Sequence, residues 1–134
     1  MLERSEATPP IGAPGIVIAG QGEIEARAGE PILIDAAVLV PAAADSDPRL
    51  WCRSLFVSCI AEESQFPLVV SLLKDRVVAP SEIERCELEA GSALRLPLHF
   101  ELGRELGVEL EPARYHVQIS ARQYRSRIVP LVVA

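Results

Sequence analysis

The sequence predicts an all-β fold, an antiparallel β-sandwich of about eight or nine strands that occupies residues 15–134 as one domain. Three observations predict it. No helix of ordinary length is visible, short apolar or alternating runs recur at roughly ten-residue spacing, and Gly or Pro stands between them. With 134 residues, 49% of them hydrophobic, the chain is long enough to bury a core without disulfide bonds.

The predicted strands differ in how clearly the sequence marks them. Segment 31–40 is almost continuously apolar, which is typical of a strand in the middle of a sheet. Segment 93–100 alternates most cleanly, and its four large apolar residues are predicted to face inward: Leu94, Leu96, Leu98 and Phe100. It forms a hairpin with the preceding segment, in which Ala90–Ser92 turns and Cys86 and Leu88 point inward. The predicted strand segments are 15–20, 22–29, 31–40, 50–61, 66–74, the two arms of the hairpin within 83–102, 115–122 and 127–133.

Three segments are predicted to be something other than strands. Residues 1–14 contain three prolines and a glycine among polar groups, so we expect a flexible N-terminal arm. Pro41–Leu50 is a loop by composition, because Asp-Pro and repeated small residues do not sustain a strand ladder. Leu102 and Leu106 are spaced i, i+4 with Gly107 after them, which predicts one or two helical turns.

The stretch LEPARYHVQISA, residues 110–121, carries the one family resemblance in the chain. Leu110, Pro112 and Tyr115 lead into a strand, and this pattern resembles the tyrosine corner of immunoglobulin-like and fibronectin type III-like sandwiches. The resemblance implies that the Tyr115 hydroxyl bonds to backbone just upstream. Neither segment 31–40 nor segment 115–122 contains cysteine, so the disulfide of antibody domains is not expected.

The last predicted strand contains IVPLVV and is apolar on both faces. Val129, Leu131 and Val133 share one face, and both faces therefore need cover. Pro130 has no backbone N–H, which favours an edge position. Cover could come from the N-terminal arm or from GIVIAG at 15–20, or from another chain. The candidate partner edge consists of Arg125, Arg127, Val129, Leu131 and Val133.

The formal charge of −6 is unevenly distributed. The last 23 residues carry four arginines and no acid, which leaves nine basic against nineteen acidic residues, a charge of −10, upstream. This division is typical of a solvated sheet face, or of electrostatic steering of a protein partner. The acidic balance argues against binding to nucleic acid. No apolar run reaches membrane-spanning length, so no membrane partner is expected.

The cysteines bear on the compartment. Cys52, Cys59 and Cys86 are an odd set without C-x-x-C spacing, so we expect free thiols and a reducing environment. The N-terminus has no apolar signal core. If Met1 is the native start, we expect the protein to be cytoplasmic.

Residues for catalysis are not arranged as an enzyme would need them. His99 and His116 are predicted to lie on opposite sheets and to point to opposite outer surfaces. Cys59 lies inside an apolar strand, where desolvation blunts a thiol. The chain has no G-x-S-x-G motif and no glycine-rich phosphate loop. We therefore expect no enzymatic activity and no cofactor.

One loop could hold a metal. Asp45 and Asp47, with Glu62 or Glu63 nearby, could form a calcium site of the kind found at the ends of sandwiches. Asp and Ser in a turn before proline are the commoner explanation, because their side chains bond neighbouring backbone. We expect no bound metal.

The function that these observations favour is a non-catalytic protein–protein interaction or assembly module, which uses a strand edge and end loops. Its partner would be another protein or a second copy of the chain. Two alternatives remain open at this point. One is a small β-sandwich protease inhibitor that presents Pro41–Leu50, and the other is an accessory or metal-binding domain of an enzyme system.

The absence of a metal site can be tested by thermal shift. We expect the melting temperature to be the same in calcium, in zinc and in EDTA, because the histidines diverge and the carboxylates are too spread to surround one ion. A rise of several degrees with either ion at micromolar concentration would contradict this expectation.

Overall fold

Two β-sheets pack face to face in the computed structural model, which describes residues 15–20, 22–42, 54–73, 78–88, 91–122 and 124–134. Within these residues there are two short helical segments, a 3-10 turn at Pro80–Glu82 and the helix α1 at Leu102–Leu106. The predicted arm, Cys52 and the loop beyond Ala42 lie outside them, so the predictions made there stay predictions. The strands are β1 Gly15–Ile18, β2 Ile24–Ala26, β3 Leu33–Pro41, β4 Leu55–Ala61, β5 Leu68–Ser71, β6 Glu84–Leu88, β7 Gly91–Glu101, β8 Ala113–Ala121, β9 Tyr124–Arg125 and β10 Val129–Val133.

The order of the strands identifies the architecture. Sheet A has the order β1-β3-β7-β6, and sheet B has the order β2-β10-β8-β4-β5, with β9 paired to β8. These are the A-B-E-D and G-F-C arrangements of an immunoglobulin domain, with β5 added beyond strand C as in variable-type domains. The predicted immunoglobulin-like all-β sandwich is confirmed. One pairing departs from the antiparallel expectation, because β2 and β10 run parallel.

The core lies between the sheets and is filled by alternate residues of each strand. In β8, Val117 and Ile119 are fully buried and the residues between them face outward. In β7, Leu96 and Leu98 are buried, and Leu94 and Phe100 pack against them at the two ends. The inward face predicted for β7 is therefore confirmed. The central position predicted for β3 is also confirmed, since it pairs with β1 on one side and β7 on the other.

The predicted helical turns are present at α1, immediately after β7. Glu101 caps the helix, because its carboxylate accepts hydrogen bonds from the N–H of Gly103 at 2.9 Å and of Arg104 at 3.2 Å. Gly107 ends the helix at a φ of 76°, a left-handed conformation that glycine adopts without strain. Within the described residues, no helix is long and apolar enough to cross a membrane.

The turn of the β6–β7 hairpin comes earlier in the chain than predicted. The ladder pairs Leu88 with Gly91 and Cys86 with Ala93, so Gly91 and Ser92 belong to β7 rather than to the turn. Because a one-residue slip moves a side chain to the other face, Cys86 lies on the outer side of sheet A beside Ala93. The predicted inward position of Cys86 is wrong. The side chain of Leu88 lies outside the described part of the chain.

The N-terminal segment passes from one sheet to the other. β1 pairs with β3 in sheet A, and β2, a few residues later, pairs with β10 in sheet B. Gly20 and Gly22, with φ values of 103° and 75°, allow the chain to change direction between β1 and β2. Arg127 holds this crossing, since its Nη2 donates to the Gly20 carbonyl at 2.6 Å and its Nη1 to the Gly22 carbonyl at 3.4 Å.

Tyr115 has the geometry of a tyrosine corner at the start of β8. Its hydroxyl donates to the Glu111 carbonyl at 2.6 Å, four residues upstream. The ring is 8% exposed and Leu110 is 6% exposed, so both belong to the core, whereas Pro112 lies at the surface. Burial is the main cause that raises the pKa of the Tyr115 hydroxyl. The hydroxyl therefore remains a donor at neutral pH.

Tyr115→Phe tests the contribution of this hydrogen bond to stability. The substitution removes the hydroxyl and keeps the ring in the core, so we expect a loss of about 1 kcal/mol in the free energy of unfolding. Urea denaturation of both proteins measures it. An unchanged midpoint at an unchanged slope would show that the hydrogen bond contributes nothing to stability.

Candidate interaction surface

The partner edge predicted at the C-terminal strand is not an edge. β10 lies inside sheet B, with β8 on one side and β2 on the other. Val129, Leu131 and Val133 are at most 3% exposed and belong to the core. The prediction of an accessible edge formed by these three residues is therefore wrong. The edge of β10 is covered from within the chain by β2, and the predicted arm lies outside the described residues.

Pro130 misled the prediction because β2 is very short. Ala134 donates to the Ala26 carbonyl and accepts from the N–H of Ala28, so the backbone groups of alternate residues of β10 point toward β2. Pro130 is one of these alternate residues. It lies one position before the β2 ladder, which begins at the pairing of Leu131 with Ile24. No ladder bond is lost at Pro130, and the strand can stand inside a sheet.

The two arginines of the predicted edge have partners within the chain. Arg125 is in β9, where its Nη1 donates to the Arg122 carbonyl at 3.3 Å. Arg127 bonds the carbonyls at the crossing between the sheets. Both side chains are exposed at one end of sheet B, but Arg127 supports the fold and is not free to receive a partner.

The surface that stands out is the outer face of sheet B, here called the sheet-B face. It follows from alternation, because Leu55, Val57 and Cys59 point inward in β4 and leave the intervening residues outside. Three of its apolar side chains are clearly exposed, Phe56 at 38%, Val69 at 54% and Ile128 at 57%. The members of the sheet-B face are Phe56, Ser58, Ile60, Val69, His116, Gln118, Ser120, Ile128, Pro130 and Val132.

Polar groups in the middle of the sheet-B face are already satisfied within the chain. The hydroxyl of Ser58 donates to the Gln118 carbonyl at 3.3 Å, and the Gln118 amide donates to the Ser126 carbonyl at 2.9 Å. Ser126 itself is 4% exposed, and its hydroxyl accepts the N–H of Ile119 at 3.0 Å. A partner that covers the Ser58 hydroxyl and the Gln118 amide N–H would therefore cover donors that already have acceptors within the chain.

Charge lies at the two ends of the sheet-B face, with exposed Arg125 beside Ser120 at one end and a group of ion pairs at the other. Glu62 Oε2 lies 3.5 Å from both Arg114 Nε and His116 Nε2, and Arg114 Nη2 donates to Glu23 Oε1 at 3.4 Å. These groups are all well exposed, so each pair contributes little to stability. The arrangement of an uncharged centre with a charged margin is typical of a protein-binding patch.

The outer face of sheet A carries two ion pairs. Arg95 and Glu84 are 2.6 Å apart, and His99 Nδ1 lies 2.6 Å from Asp35 Oδ1. His99 and His116 therefore point to opposite outer surfaces, as predicted. The pairing with His99 also explains Asp35, the one charged residue in an otherwise apolar strand.

Neither thiol among the described residues has the setting of a nucleophile. Cys59 and Cys86 are free, one in the core of sheet B and the other on the outer side of sheet A. Burial raises the pKa of the Cys59 thiol to about 11, so it stays protonated and unreactive at neutral pH. Among the described residues, no group of three His, Cys, Asp or Glu side chains could hold a metal ion.

Sequence reasoning missed Phe56, Val69 and Ile128 as surface residues. A signal was present for Phe56, because the segment LFVSCIA alternates and its inward row is set by Leu55 and Cys59. The run PLVVS offers no such signal, since Leu68, Val69 and Val70 are all apolar and the sequence does not show which faces outward.

Comparison with known proteins gives little beyond the fold. No protein-family model matches the chain, and no curated protein matches it significantly. Among solved structures it is similar to a chain in the crystal structure of the ZIG-8–RIG-5 IG1–IG1 heterodimer, monoclinic form. The alignment has 13% sequence identity, covers 86% of this chain and 83% of that chain, and gives a TM-score of 0.31. A likeness this weak carries no argument, and the assignment of the fold rests on the strand order.

Thiol titration tests the redox state and the burial of Cys59. In denaturant without reductant we expect three titratable thiols, and a count of one would establish a disulfide bond. In the folded protein at neutral pH, Cys59 should react slowly because its pKa is raised by burial, and its reaction should accelerate as the pH approaches about 11. Cys59→Ala should remove this slow phase, and Cys86→Ser should leave it unchanged.

Proposed function

We propose that this protein is a non-catalytic interaction module that binds a protein partner through the sheet-B face. The observation that carries the proposal is the cluster of exposed apolar side chains Phe56, Val69 and Ile128 around an uncharged, internally bonded centre. Single exposed apolar residues are ordinary, but a group of them on one face of a sheet marks an interaction site.

The chemistry of the face favours a folded protein surface as the partner. Phe56 and Val69 lie on strands and Ile128 directly precedes β10, so these backbones are held in place and little conformational entropy would be lost on binding. The Glu23, Arg114, Glu62 and His116 cluster at one margin would add orientation and association rate more than affinity. A cytoplasmic setting suits the module, since Cys59 and Cys86 are free thiols.

The binding face can be tested by affinity capture with matched variants. Phe56→Glu with Ile128→Glu places two charges on the sheet-B face at positions that are already exposed. Leu33→Glu with Val108→Glu is the control, because these residues are 74% and 43% exposed, lie outside the sheet-B face, and change the charge equally. Capture from lysate of the producing cells, with quantitative mass spectrometry, compares both variants with the wild type.

We expect one or more proteins to be retained by the wild type and by the control, and to be depleted about tenfold or more with the sheet-B variant, as for charges placed in an apolar contact. Circular dichroism establishes that both variants remain folded. Equal retention by all three proteins, or depletion with the control alone, would contradict binding through this face.

A further inference from the structure

The four strands at the ends of the two sheets differ in how they are protected. β6 carries Glu84, Arg85 and Glu87, and β2 is three residues long with Glu25 at its centre. Charge and shortness are two devices that keep edges from pairing with other chains. β1 is apolar, but none of its four residues is fully exposed. β5 carries no charged residue, and although α1 lies near it and Pro67 precedes it, Leu68 remains 41% and Val69 54% exposed.

The direction of the backbone hydrogen bonds between β5 and β4 shows which residue of β5 points its N–H and C=O away from β4. Leu72 donates to the Leu55 carbonyl, so alternate residues Leu72, Val70 and Leu68 direct their backbone groups toward β4. The N–H and C=O of Val69 therefore point away from β4. Pro67, two residues earlier, has no N–H, which is characteristic of an edge.

We propose that β5 pairs with β5 of a second copy of this chain, antiparallel and about a two-fold axis at Val69, to join the two B sheets into one. At this register the Val69 residues exchange two N–H···O=C bonds with each other. Their side chains meet on the outer side, and Leu68 meets Val70 of the other copy on the inner side. All of these pairs are apolar, as favourable cross-strand pairs are.

The charge distribution favours a second copy of this chain as the partner that pairs with β5. In a two-fold pair, a strand lies next to the same strand of the other copy. Any charged residue near the axis would therefore face a residue of the same charge. Residues 64–73 contain no charged side chain, so a second copy of a molecule of charge −6 can approach β5 with little repulsion. The same operation at β6 would place its glutamates near one another.

The pairing would also enlarge the binding surface. The two-fold axis would be perpendicular to the joined sheet. The two sheet-B faces would therefore lie side by side on the same side of it. The exposed Phe66, which is 81% exposed, stands next to the junction. A junction of four-residue strands is small, so we expect a weak dimer that forms as the concentration rises.

Charge variants at Val69 test the axis directly. Sedimentation equilibrium over a wide concentration range should show the wild type in reversible monomer–dimer exchange. Val69→Asp and Val69→Lys should each be monomeric, because like charges would face each other across the axis. An equimolar mixture of the two variants should dimerise again, since a carboxylate would then face an ammonium. Leu33→Asp and Leu33→Lys are the matched controls and should dimerise as the wild type does.

The outcomes separate cleanly. A wild type that stays monomeric overturns the proposal, as does a dimer that persists in Val69→Asp. Loss of the dimer in both variants without recovery on mixing overturns the two-fold axis at Val69. Residue 69 is not changed in the capture variants, so failure here and failure of the proposed partner binding are distinguishable. Thermal melts of all the variants exclude unfolding as the cause of a monomer.

Discussion

Strand alternation, fixed by the register between neighbouring strands, is the constraint on which this molecule depends. β8 lies between β4 and β10, and its inward row of Tyr115, Val117 and Ile119 builds the centre of one layer of the core. The same alternation sets His116, Gln118 and Ser120 outward. The composition of the exposed face is therefore determined by the pairing that makes the core. A slip of one residue would bury Gln118 and expose Val117 and Ile119.

Much of the fold could be predicted because its signals are local. The leucine row of β7, the helical turn closed by Gly107 and the pattern around Tyr115 each depend on residues close together in sequence. The position of β10 could not be predicted in this way. Its outer neighbour is β2, near the other end of the chain, and the two run parallel. A pairing so distant in sequence leaves no mark at either strand, and Pro130 was read as an edge signal.

The candidate surface was missed for a related reason. Apolarity on both faces of β10 predicts that both faces are covered, but its outer residues Pro130 and Val132 are only half-buried and Ile128 is exposed. What distinguishes the sheet-B face is the combination of strands that lie side by side in space. Phe56 and Ile128 are far apart in the chain, and only the topology shows that they share a surface. The hydrogen bonds of Ser58 and Gln118 likewise become visible only when the strands are placed.

The parallel pairing of β2 with β10 also bears on how the chain folds during synthesis. The ribosome delivers β2 well before β10, so Ile24–Ala26 have no partner in sheet B until β10 has emerged. The β4–β5 and β6–β7 pairs, close in sequence, can form long before. Arg127 arrives only a few residues before β10 and bonds the carbonyls at the entry to β2. The first strand to be made in sheet B is thus among the last to be ordered, and until β10 has emerged the edge of β8 that β10 covers stays open.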